Sequence, residues 1–194
     1  MKKSLKILAV ITSSLLLTNT ALADNSSKAT DSWFDNVEFQ AEFLKYHYKD
    51  NRYVKNYNLH ALTQVYDWSI FSLHAGATFT VADGYIIRGN MKQNSDAVGL
   101  GPAIVARFGG EIIDNFHISL DLGGSMRFFT KNHPATARKY DFLWRIGPRI
   151  AYDFSENGSV GFNYVVYAHA SNGHSDQNPG YEMKGFNFSL DYKF

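Results

Sequence analysis

Past a polar opening the chain pulses. Apolar and aromatic runs of roughly ten residues alternate with turn-rich gaps. Eight runs can be counted: Val37–Tyr48, Tyr57–Tyr66, Phe71–Val81, Val98–Phe108, Phe116–Phe129, Phe142–Phe154, Ser159–His169 and Met183–Phe194. The last is the clearest. Phe186, Phe188, Leu190, Tyr192 and Phe194 alternate with Asn187, Ser189, Asp191 and Lys193. A strand sends successive side chains to opposite faces, so this period of two makes one wall apolar and the other polar. The gaps alternate in length. Asp67-Trp68, GGEIIDN and SENG are short. KDNRYVKN, residues 82–97, residues 130–141 and residues 170–182 are longer and more polar. Short turns at one end and long loops at the other describe an up-and-down barrel, and an even strand number leaves both termini at the short-turn end.

Alternation alone does not separate a membrane barrel from a soluble sandwich or a lipocalin-like barrel. Composition does more. The first 23 residues read MKKSLKILAVITSSLLLTNTALA. Lys2, Lys3 and Lys6 precede a short apolar run, and Ala21-Leu22-Ala23 is a small-x-small cleavage site, so residues 1–23 read as a secretory signal peptide. Residues 24–36 are a polar lead-in with Trp33 and Phe34, and residues 37–194 hold the strands. The remainder has no cysteine and no apolar run long enough for a membrane helix, yet aromatics make up 15% of the chain, with 12 Tyr and 15 Phe. The expected fold is therefore all-β, an eight-stranded antiparallel transmembrane barrel of a bacterial outer membrane. Aromatics fall near both ends of the runs. Tyr66, Trp68, Phe108, Phe116, Phe154 and Phe194 form the expected inner girdle. Tyr85, Phe128, Phe129, Tyr140, Phe142, Trp144 and Tyr181 form the outer one. The interior of so small a barrel is filled by side chains, which argues against a pore. Of 19 basic and 18 acidic residues, loss of the leader removes three lysines and no acid, leaving 16 against 18. A near-neutral chain of this kind gives no footprint for nucleic acid.

The candidate chemistry lies at the outer end of the last hairpin. His169 and Ser171 stand two residues apart and so share a face; Asn172 and Gly173 follow, and Glu182 opens the next strand. Opposed across the hairpin, Glu182 could orient the imidazole, His169 could act as base and Ser171 as nucleophile. Asn172 and the Gly173 amide are the oxyanion candidates. Glu182 has the parity of the lipid-facing set Phe186 to Phe194. For His169 and Ser171 to join it, either Val165 and Tyr167 face lipid while Phe162, Tyr164 and Val166 turn inward, or a bulge near the rim resets the parity. The group is expected on the outer wall near the outer leaflet. Taken singly, H-x-S on a strand is most often an ordinary polar pair, and a rim glutamate is most often solvated. His174 in the same loop is a rival base.

His169-x-Ser171-Asn172, then Asn178-Pro179-Gly180-x-Glu182, then a terminal strand ending in an aromatic, resembles the outer-membrane lipid A 3-O-deacylases, the PagL family. The resemblance covers the last hairpin; the other strands match in number and order. It implies a serine esterase with His169 as general base, Ser171 as nucleophile, Glu182 as orienting acid and Asn172 contributing to the oxyanion hole. It further implies lipopolysaccharide, through its lipid A, as substrate, and neither cofactor nor metal. The loop between Ser171 and Glu182 is slightly shorter than the family's, which bears most on Glu182. His47, His60, His74, His117 and His133 show no metal-ligand spacing. Arg88, Lys92, Lys131, Arg138, Lys139 and Lys184 lie in or beside the outer loops, where solvated charges or contacts to lipid A phosphates are both open. Whether the barrel stands alone or pairs as a homodimer is open too. The rival reading is a non-enzymatic adhesin or structural barrel; an acyltransferase would need an acceptor motif that the chain does not display.

Overall fold

The computed structural model describes residues 35–47, 51–173 and 180–194. The proposed leader, most of the lead-in with Trp33 and Phe34, and His174, Asn178 and Pro179 lie outside the described residues.

Nine strands run through the described residues: β1 Asn36–Tyr46, β2 Arg52–Trp68, β3 Phe71–Arg88, β4 Met91–Asn94, β5 Ala97–Ile113, β6 Phe116–Phe129, β7 Tyr140–Ser155, β8 Gly158–Ser171 and β9 Tyr181–Lys193. Eight of them form the wall in the order β2-β1-β9-β8-β7-β6-β5-β3, and pairing of β2 with β3 closes it. Every pairing is antiparallel. Closure leaves no edge strand, which is what allows a sheet to stand in a bilayer. β4 is a short flap that pairs only with the outer end of β3.

Several gaps expected to be loops are strand. β2 starts at Arg52, so RYVKN extends the wall rather than the first loop. The segment after Val81 continues as β3 and folds back as β4, turning at Gly89 with φ +58°, a backbone state that favours glycine. β5 likewise runs on to Ile113. Polar side chains misled the reading there. Beyond the membrane at either end of the barrel a hairpin can carry polar residues or glycines, because its backbone is paired whatever its side chains are.

The alternation seen in β9 holds around the wall. Phe186, Phe188, Leu190 and Tyr192 are exposed, while Asn187 and Ser189 are buried. Outside, Leu100, Ile104, Ile118, Leu120, Leu122, Ile150, Val160, Phe162 and Tyr164 form the apolar surface of a membrane-spanning barrel. Inside, the sequence had announced only filling; the filling is ionic. Glu38 binds Arg107 at 3.0 Å, and Arg107 binds Asp121 at 3.0 Å. Glu42 takes Arg145 at 2.7 Å and Asn58 at 2.6 Å. Arg149 reaches Asp191 at 3.1 Å. Charges this deep survive only when paired and hydrogen-bonded, and here they are. The mid-barrel gap among Gln40, Asp121, Arg145 and Asn163 holds about 10 Å³, less than one water, so the axis is plugged.

Two aromatics depart from the expected outer girdle. Phe129 is 6% and Tyr181 is 1% exposed, and both point into the lumen. The Tyr181 hydroxyl is the centre of a buried cluster, 2.9 Å from His133 Nε2, 3.0 Å from Arg127 Nη2 and 3.2 Å from Asp141 Oδ2. Position near a strand end therefore does not make a tyrosine interfacial; parity decides.

Candidate active site at the outer end of the last hairpin

β8 and β9 supply the site, and a bulge decides where it faces. From Val160 to Val166 the even residues of β8 are exposed and the odd ones buried. Val165 pairs with Gly185, and the next regular pair is Ala168 with Met183. Two β8 residues, Val166 and Tyr167, thus oppose the single residue Lys184. That extra residue reverses the parity. Beyond it Ala168 and Ala170 are fully buried, and Tyr167, His169 and Ser171 stand on the outer wall. Phe162, Tyr164 and Val166 consequently face outward, and Val165 faces in, so the arrangement without a bulge does not occur. Gly147-Pro148 on β7 accounts for part of this. The β7–β8 register lapses across the same stretch, a Cβ on Gly147 would sit 2.1 Å from the Tyr164 carbonyl oxygen, and proline has no amide to offer a ladder.

His169 pairs directly with Glu182 across the hairpin, and Trp144 of β7 pairs with His169 on its other side. Ser171 lies one outward-facing position further along β8, roughly 6–7 Å by strand rise. The hydroxyl oxygen of Ser171 accepts the amide of Gly173 at 3.2 Å. Gly173 has φ +90°, which a side chain would strain, and the space where a Cβ would project is open. The imidazole edge of His169 looks toward the loop end: a Cβ on Gly180 would lie 3.5 Å from Nε2. Arg52 donates to the Gly180 carbonyl, fixing the chain two residues before Glu182. The structure therefore brings His169, Glu182, Ser171 and the Gly173 amide to one face. It does not bring the Asn172 side chain there. Asn172 is 5% exposed and lines a crevice with His133, Pro134 and Tyr181 behind the wall.

Two further residues belong to this neighbourhood. Tyr167 shares a hydrogen bond with Glu182, and its ring stands 5.1 Å from that of Trp144. Its spacing of two from His169 was a usable signal. Behind the wall, the 130–139 loop is docked by His133. Its Nδ1 meets the Ser95 carbonyl at 2.7 Å, and a carbonyl only accepts, so Nδ1 carries the proton. Nε2 is then the acceptor facing Tyr181. Burial pushes His133 down to about 4, with Asp141 opposing and Arg127 assisting. Nothing in the spacing of the sequence pointed to this contact, because it joins residues 48 positions apart. Of the basic outer-loop residues, Lys92 lies 3.6 Å over the Tyr85 ring and Arg138 donates to the Tyr140 hydroxyl at 2.9 Å. No group of His, Asp or Glu among the described residues has the geometry to hold a metal ion.

No protein-family model and no curated protein matches the chain. Among solved structures it is similar to the outer membrane enzyme PagL, at 16% identity over 82% of this chain and 99% of that one, TM-score 0.43. It is also similar to the outer membrane protein OprG from Pseudomonas aeruginosa, at 14% identity over 80% and 95%, TM-score 0.43. A third likeness is to Ail from Yersinia pestis, at 10% identity over 80% and 99%, TM-score 0.39. These likenesses concern the barrel and carry nothing about the chemistry of the residues on it.

Proposed function

We propose that this protein is an outer-membrane serine esterase that hydrolyses the 3-O-linked acyl chain of lipid A. The observation that carries the reading is the outward pairing of His169 with Glu182, with Ser171 one position further on the same face. A serine beside a histidine inside a plugged lumen would meet no lipid. On the wall it meets acyl chains that the membrane already holds there at high local concentration.

In this mechanism Ser171 Oγ attacks the ester carbonyl while His169 takes its proton. Glu182 holds the imidazole in orientation and stabilises the imidazolium. The backbone amide of Gly173, already at the hydroxyl, is the donor to the oxyanion; with its side chain turned inward, Asn172 acts through its own amide. His169 returns the proton to the departing 3-hydroxyl of the sugar. A water molecule, activated by the same base, then releases the acyl chain as its carboxylate. Neither a metal nor a cofactor has a step to perform.

The test is mass spectrometry of lipid A from cells expressing the wild type, Ser171→Ala or His169→Ala. Loss of one 3-hydroxyacyl chain in the wild type alone supports hydrolysis. Unchanged lipid A in all three leaves a non-enzymatic adhesin or structural barrel.

A further inference from the structure

One side of the site is aromatic and apolar, with Phe142, Trp144 and Tyr164 exposed on β7 and β8. The other side is cationic. Lys184 of β9 pairs with Lys45 of β1, and Lys45 pairs with Lys55 of β2. All three share the outward parity of Phe186, Phe43 and Tyr57 on their strands. Every outward-facing lysine of the barrel strands among the described residues falls in this row. It lies one outward position, roughly 6–7 Å, toward the membrane from Glu182.

Like charges directly opposed across a sheet are destabilising, and here two such pairs adjoin. Among the described residues no ion pair relieves them. Lys45 Nζ lies 5.6 Å over the Tyr46 ring. Asp83 stands opposite Lys55 at the far end of the row, and Glu182 lies in the level above, paired with His169. Three aligned ammonium groups on an apolar wall at the membrane rim are complementary to one ligand chemistry, a phosphate carried at headgroup depth.

We propose that Lys45, Lys55 and Lys184 form a phosphate-binding row that holds the headgroup of a phosphorylated membrane lipid beside the hydrolytic site. The orientation it gives the substrate rests on the esterase reading: phosphate over β9-β1-β2, the acyl chains against the aromatics of β7 and β8. The bulge contributes, because Lys184 is the residue that Val166 and Tyr167 together oppose.

The test is made in the full chain carrying Ser171→Ala, so that binding is read whether or not the wild type hydrolyses anything. Native mass spectrometry of the detergent-solubilised barrel compares retention of phosphorylated lipid A with that of its dephosphorylated form. The lysine row should favour the phosphorylated form by about tenfold or more, and K45Q/K55Q/K184Q should abolish that preference. Millimolar inorganic phosphate should leave the lipid bound. The triple variant should also unfold at an equal or higher temperature, since it loses like-charge repulsion. Equal retention of the two lipids by the lysine row overturns the proposal, as does an unchanged preference in the triple variant. Displacement by inorganic phosphate alone overturns the lipid headgroup as occupant.

Discussion

Replacing Tyr181 by Phe removes one hydroxyl from a site that admits no water-sized gap. The hydroxyl has four polar neighbours: His133 at 2.9 Å, Arg127 at 3.0 Å, Asp141 at 3.2 Å and Asn56 at 3.4 Å. Arg127 and Asp141 keep each other, at 2.8 and 2.7 Å, so that ion pair survives. His133 does not fare as well. It is fully buried, and its Nε2 loses the group it faces. For the loop, loss of the His133 hydrogen bond and the stranding of its buried acceptor cost about 2–4 kcal/mol together. The cost falls on docking of the 130–139 loop, which the Ala135 amide also secures by donating to Ser95 Oγ at 2.9 Å. Amide hydrogen exchange is the assay. Protection of Ala135 and Ala137 should fall by roughly 30- to 1,000-fold, while amides of the β6 midsection stay protected. Exchange within about threefold of the wild type would refute the reasoning.

The same contact gives a pH dependence. His133 binds a proton less readily docked, near 4, than undocked, near 6.5, so docking is fully stable above about pH 6.5 and weakens as pH falls toward 4. The loss approaches about 3 kcal/mol, and loop exchange measured across that range, corrected for intrinsic rates, should rise accordingly; a flat profile contradicts it. Glu182→Gln should lower kcat on lipid A by about 10²- to 10⁴-fold and leave the heat-dependent gel mobility of the barrel unchanged; full activity would remove Glu182 from the mechanism. The bulge can be read by thiol labelling, since the chain has no cysteine of its own. With a membrane-soluble maleimide, Val166→Cys and Tyr167→Cys should both react, and Val165→Cys and Ala168→Cys should not; strict alternation through these four positions would contradict the bulge.

Parity made most of the fold legible. β9 announces it in FNFSLDYKF, and the order of short turns and long loops follows from hydrophobic spacing alone. Parity also held the clue that was missed. Glu38, Gln40 and Glu42 alternate with Phe39, Ala41 and Phe43 as plainly as anything in β9, and they are inward polar residues of the core, two of them its acids. The candidate site was legible in its residue types and in its expected outward face; what the sequence left open was which of two arrangements, regular alternation or a bulge, would turn it there. A bulge changes the face of everything beyond it, and its cause is a register set by neighbouring strands, with Gly147-Pro148 across the ladder and Lys184 opposite. Asn172 illustrates the limit. It follows Ser171 in the chain and therefore points the other way, a consequence of strand geometry that its adjacency in sequence conceals. Tyr181 and Phe129 were misplaced for a related reason: nearness to a strand end suggested headgroups, while alternation sent both into the lumen.

Purified wild-type protein and Ser171→Ala, each mixed with lipid A in detergent, can be compared by the free 3-hydroxy fatty acid they release. The wild type should release one equivalent per lipid A, and Ser171→Ala should release it at least about 10³-fold more slowly. No release by the wild type, or equal release by both proteins, would contradict an outward-facing serine nucleophile on the wall of this barrel.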